Sequence, residues 1–146
     1  MRAVNESPPS RVASAVFDVL DPIPFGFFVG VLIFDVIYAR SADILWMKFA
    51  AWLVSIGLVF AIVPRLINLF QVWFGKYRTM RAARLDFWLN LVGIVAALFN
   101  AFVHSRDAYA VIPDAVWLSV VTVAAMALGR IVMAWRHAGF RELRHE

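Results

Sequence analysis

LDFWLNLVGIVAALFNAFVH, residues 85–104, is long enough to cross a bilayer as one helix, and it decides how the rest of the chain is read. One side of it is not apolar. Asp86, Asn90, Gly93, Ala97, Asn100 and His104 recur at spacings of 4, 3, 4, 3 and 4. At about 100° per residue, these six stay within roughly 40° of one line down the helix. Leu, Val, Phe, Ile and Trp fill most of the remaining surface. A spanning helix with one small and polar stripe must turn that stripe toward other helices or a watery cavity. The sequence therefore implies a buried polar seam.

Composition supports a membrane setting. Of 146 residues, 63% are hydrophobic and 16% charged, where a soluble domain is nearer half apolar and a quarter charged. The excess is concentrated in long runs, giving a mean hydropathy of +0.78. The expected fold class is all-α: an integral membrane four-helix bundle with four transmembrane helices. The net charge of +4 does not point to nucleic acid. The basic residues flank apolar spans, where anionic lipid headgroups account for them. With no cysteine, disulfides, thiolate metal sites, iron–sulfur clusters and covalent haem attachment are excluded together.

The chain divides into a polar N-terminal tail with a short interfacial helix (1–20), a four-span membrane domain (21–136) and a charged C-terminal tail (137–146). Residues 12–20 are expected to form the interfacial helix, broken at Asp21-Pro22. The first span is expected over 25–39, short for a hydrocarbon core of ~30 Å. Gly26 and Gly30 in it form a GxxxG pair suited to close helix approach, and Asp35 lies on the opposite side. The second span, 45–74, contains Pro64, which removes a backbone donor and favours a kink; Arg65 and Asn68 follow. The fourth span, 115–135, carries Ser119, Thr122, Met126 and Arg130 on one side.

Counting Lys and Arg sets the expected orientation. Arg2, Arg11, Lys76, Arg78, Arg81, Arg84, Arg136, Arg141 and Arg144 lie on one side, against Arg40, Lys48 and Arg106 on the other. By the positive-inside rule both termini are cytoplasmic, in a bacterial inner membrane. Lys76, Arg78, Arg81 and Arg84 would meet anionic headgroups of the lipid bilayer. Trp46, Trp52, Trp73, Tyr77, Trp117 and Trp135 are placed near span ends as interfacial aromatics. A signal peptide ending near Ala39-Arg40-Ser41-Ala42 is the rival for the first span. More than twenty preceding residues and the interruption at Asp35 weigh against it.

Pro22-Ile23-Pro24-Phe25-Gly26, Phe34-Asp35-Val36-Ile37-Tyr38 and the Asn90 seam together resemble a bacterial membrane family, the one catalogued as domain of unknown function 2231. The resemblance covers about residues 21–140. It implies a four-span inner-membrane protein without an established activity. Members of that family often carry His near the start of the first and third spans. This sequence departs there, with Asp18, Asp21 and Asp86, so no His-based cofactor role carries over.

Two groups of residues bear chemistry. Toward the cytoplasm lie Arg65, Asp86, Asn90 and Arg130, all within about two turns of the boundary. Charges in a membrane call for partners, so one reading is an ion pair with hydrogen bonds that fixes helix register. The other is an anion or proton site, since two Arg face one Asp. Toward the periplasm lie Asp35, Asn100 and His104. A carboxylate near an imidazole suits proton transfer or orientation of a ring nitrogen, and equally a hydrogen-bonded helix-end cap. The geometry expected is that the first and third spans lie side by side, with Asp35 within reach of His104.

No catalytic or metal site is expected. HExxH, P-loop, GxGxxG and GxSxG patterns do not occur, and His104 and His137 fall at opposite faces, so one chain offers no bis-His haem site. No cofactor is assigned. The leading functional expectation is a non-enzymatic accessory, anchor or assembly component of a membrane or periplasmic system, as a homo-oligomer or with a protein partner. A small transporter or proton-conducting protein is the alternative, and a haem- or quinone-linked redox subunit a weaker one.

Overall fold

The structure is a computed structural model that describes residues 19–20, 22–73, 81–106 and 110–142. The described residues contain four long helices and no strand: α1 (Pro22–Ser41), α2 (Ile44–Trp73), α3 (Arg81–His104) and α4 (Asp114–Glu142). Each holds a window long and apolar enough to cross a membrane. The chain is a helical multi-pass membrane protein. Consecutive helices pack on each other and α1 closes against α4, so the four form a ring. In that ring α3 is the most enclosed. Of its spanning window 44% is buried, against 28% in each of the other three.

The distribution of side chains is that of a protein solvated by lipid. Trp52, Val59, Trp88, Phe102, Trp117 and Trp135 are exposed, while Asp35, Asn90, Asn100, Ser119 and Thr122 are buried. Lipid tails are as apolar as the outward side chains, so burial of these brings no hydrophobic gain; packing and internal hydrogen bonds hold the helices together. At mid-height the interior is apolar. Phe28 and Val31 of α1, Val54 and Ala61 of α2, Ala97 of α3 and Met126 of α4 form one contiguous cluster.

Local chemistry places the helix ends. α1 starts at Pro22, three residues before the expected start, and ends at Ser41. Proline is favoured in a first turn because its missing N–H would be unsatisfied there in any case. The resulting 20 residues span about 30 Å at 1.5 Å each, so the expected shortfall disappears. Ala42 and Asp43 alone turn the chain into α2. Ala42 adopts φ 53° and donates its N–H to the Tyr38 carbonyl at 2.9 Å. Asp43 caps α2 by accepting the Leu45 N–H at 2.9 Å. α2 runs unbroken through Pro64.

Several sequence expectations fall outside the described residues, among them Lys76 and Arg78 of the headgroup contacts. Of the interfacial helix expected over 12–20, only Val19 and Leu20 are described, and they are helical. The side chains of Asn68, Trp73 and His137 lie outside the described ones, as does all of Tyr77. At the other terminus, α4 continues as helix to Glu142, into the residues expected as a charged tail.

Candidate functional site

The stripe that organises the sequence faces the interior. Asn90, Ala97, Asn100 and His104 are all buried, Gly93 is too, and Asp86 is nearly so. α4 answers with buried Ser119, Thr122 and Met126, residues placed on one side by the same helical arithmetic. α1 contributes Asp35 from a core position. Phe28, Val31, Asp35 and Tyr38 are spaced 3, 4 and 3 apart and all are buried, so a carboxylate stands where the pattern calls for an apolar side chain.

At the His104 end, Asp35 meets α3. His104 Nε2 lies 2.9 Å from Asp35 Oδ1, and Asn100 Nδ2 donates to Asp35 Oδ2 at 3.4 Å. Both side chains of the His–Asp pair are essentially fully buried, at 1% and 0% exposure. His104 Nδ1 lies 2.9 Å from the carbonyl oxygen of Asn100. A carbonyl only accepts, so Nδ1 must carry a hydrogen. The Nε2–Oδ1 contact then contains one proton, held on the ring or on the carboxyl group. In either form the pair is electrically neutral as a unit, which is how a buried acid is tolerated among apolar side chains. Asn100 Oδ1 is buried without a hydrogen-bond partner. Ser119 and Thr122, which border the same narrow gap, give their hydroxyl hydrogens to the Val116 and Leu118 carbonyls of their own helix.

The structure corrects one expected arrangement here. Asp35 does reach His104, but α1 and α3 are not side-by-side neighbours. They face each other diagonally, each packed mainly on α2 and α4. The contact therefore crosses the interior of the bundle. Helical spacing reports which side of a helix a residue occupies, and it carries no information on the order of helices around a ring.

At the opposite end, Asp86 is held by its own helix and by α2. Asn90 Nδ2 donates to the Asp86 carbonyl at 2.9 Å and to Asp86 Oδ1 at 2.8 Å. Arg65 Nη1 lies 3.7 Å from Asp86 Oδ2, an ion pair longer than a hydrogen bond. Gly129 of α4 makes room for the group. A Cβ there would come within 2.8 Å of Asp86 Oδ1 and 2.9 Å of Asn90 Nδ2. Arg130 comes to the same end, with its guanidinium 5.1 Å from the centre of the Phe25 ring, in cation–π range. All four residues expected in this cluster thus lie together.

Two positions at this end were not singled out by sequence reasoning. Gly129 follows Ala125 by four residues, the small-residue spacing that signals close helix packing. Phe25 enters only as part of the resemblance over residues 22–26 and as the start of the first span, with no role assigned. The GxxxG pair of α1 behaves unevenly. Gly30 packs against Leu53, but a Cβ on Gly26 would meet nothing within 4 Å, so only one of the two supports helix approach within the bundle.

Some 14 residues of α3 separate Asp86 from Asn100, about 21 Å along the axis. Between the two polar groups lies the apolar layer of Phe28, Val31, Val54, Ala97 and Met126, and the gap that reaches into it is too tight for water. Among the described residues, no three His, Asp or Glu side chains converge as metal ligands would. Among the described residues the buried polar chemistry lies at two ends: a shared proton at one, and a pair of guanidinium groups with a carboxylate at the other. No family model matches this chain, and no match is found among curated proteins or solved structures.

Proposed function

We propose that this protein is a non-enzymatic accessory, anchor or assembly component of the bacterial inner membrane, with both termini cytoplasmic, akin to the family catalogued as domain of unknown function 2231. The observation that carries the reading is the separation of the two polar clusters by a packed layer too tight for water. A conducting protein needs polar groups or water in sequence across the membrane. Here Asp35, Asn100 and His104 are joined to one another, and Asp86 to Asn90 and Arg65. The short turn at Ala42 and Asp43 and the tightly packed interior suit a protein that presents its outer surface to others. Nine Lys and Arg on one side against three on the other support the orientation.

The proton-conducting alternative draws on the buried proton of the Asp35–His104 pair. Reconstitution into liposomes with a trapped pH-sensitive dye separates the two. The accessory reading expects proton flux no greater than in protein-free liposomes, together with one membrane protein retained at fixed stoichiometry after solubilisation in mild detergent. Flux that rises with protein content and disappears in His104→Ala would establish conduction instead. A visible absorption band from a bound haem would establish the redox reading.

A further inference from the structure

We infer that the depression between Arg65 and Arg130 binds a phosphate-class oxyanion, either the headgroup phosphate of an anionic phospholipid or free phosphate. This goes beyond the accessory reading and does not depend on it. The depression is lined by Arg65, Arg130 and Asn90, with Pro24, Phe25 and Pro64 among its apolar walls. Its described lining includes two guanidinium groups, against the one Asp86 carboxylate that stands 3.7 Å from Arg65. Guanidinium is the side chain whose fixed fork of donors matches phosphate oxygens in pairs.

Both cations are held in place before any ligand arrives. Arg130 rests over the Phe25 ring. Arg65 follows buried Pro64 and pairs with Asp86 at 3.7 Å, while Asn90 occupies the other carboxylate oxygen at 2.8 Å. Pre-placed side chains lose less rotamer freedom when a ligand binds. The depression has room for about one water molecule. An oxyanion therefore sits at its mouth, against the guanidinium groups, and is not engulfed. Depth agrees with that. The apolar windows of α2 and α4 end at Leu66 and Trp135 and that of α3 begins at Arg84, so Arg65 and Asp86 lie within about a turn, and Arg130 within two turns, of one end of their spans.

The test is a titration of the full chain, labelled with ¹⁵N-arginine, in lipid-free non-ionic detergent. Short-chain phosphatidylglycerol, inorganic phosphate and a short-chain diacylglycerol lacking phosphate are added separately. The proposal expects the Nε–Hε resonances of Arg65 and Arg130 to shift together and saturate with a phosphate-bearing ligand, and not with the diacylglycerol. Saturation with phosphatidylglycerol alone assigns the site to the lipid headgroup; saturation with inorganic phosphate as well shows that the phosphate group suffices. Arg65→Gln and Arg130→Gln should each weaken binding by about tenfold, as expected for loss of charge-assisted hydrogen bonds. No saturating shift with either phosphate ligand, or equal shifts with the diacylglycerol, would overturn it. Because the resonances are read on the unmodified protein, the result stands even if a variant fails to fold.

Discussion

His104 of α3 and Asp35 of α1 meet at 2.9 Å across the interior of the bundle, although their helices stand diagonally and pack mainly on α2 and α4. The contact ties together two helices that each pack mainly on other neighbours. Its second anchor is the Asn100 carbonyl, which fixes the ring through Nδ1 one helical turn away. Removing either partner would leave a polar group buried with no water to replace it, the costly side of the hydrogen-bond balance.

Gly129 has no room for a side chain unless Asp86 and Asn90 move. Its absent Cβ would stand 2.8 Å from Asp86 Oδ1 and 2.9 Å from Asn90 Nδ2, and those two atoms are bonded to each other. Gly129→Ala should lower stability in detergent by about 1–3 kcal/mol, the range for overpacking a filled interior. Thermal melting followed by circular dichroism measures it. Melting equal to the parent would mean that α3 and α4 separate there at no cost.

Ala42 offers a gain. With φ at 53° it occupies the left-handed region that side chains resist and glycine does not. Ala42→Gly should raise stability by roughly 0.5–1 kcal/mol, the relief outweighing the extra freedom of glycine in the unfolded chain. The same melting experiment reads the sign, and a loss of stability would contradict the strained turn.

Orientation has its own test. A reporter enzyme active only outside the cytoplasm should be silent when fused after Glu146 and active when inserted between Arg106 and Ala110. Reversing the charge of Arg78, Arg81 and Arg84 together should weaken or invert that pattern. A reporter active at Glu146 and silent in the α3–α4 connection would reverse the assignment.

Much of this arrangement is legible in the sequence because lipid makes polar residues informative. Asp86, Asn90, Asn100 and His104 had to share one side of α3 and turn inward, and they do. Asp35 had to find a partner at matching depth, and His104 was the titratable group there. Three features were not legible for physical reasons. Periodicity fixes the side of a helix and leaves ring order open, so the diagonal placement of α1 and α3 was missed. Gly26 and Gly30 share a face by spacing, yet only Gly30 has a neighbour close enough to use it. Hydropathy also undercounts α1, because Pro22, Ile23 and Pro24 build its first turn by backbone preference.

A double-mutant cycle on Asp35 and His104, the contact of longest sequence separation in the polar seam, measures how strongly that seam ties the bundle together. Asp35→Ala, His104→Ala and the double variant are compared by reversible unfolding in the same detergent. Each single change should lower stability, and the double variant should lose less than the sum. The coupling should be about 1–2 kcal/mol, the upper end for intramembrane polar pairs. Strictly additive losses, or a His104→Ala variant that unfolds like the parent, would contradict it.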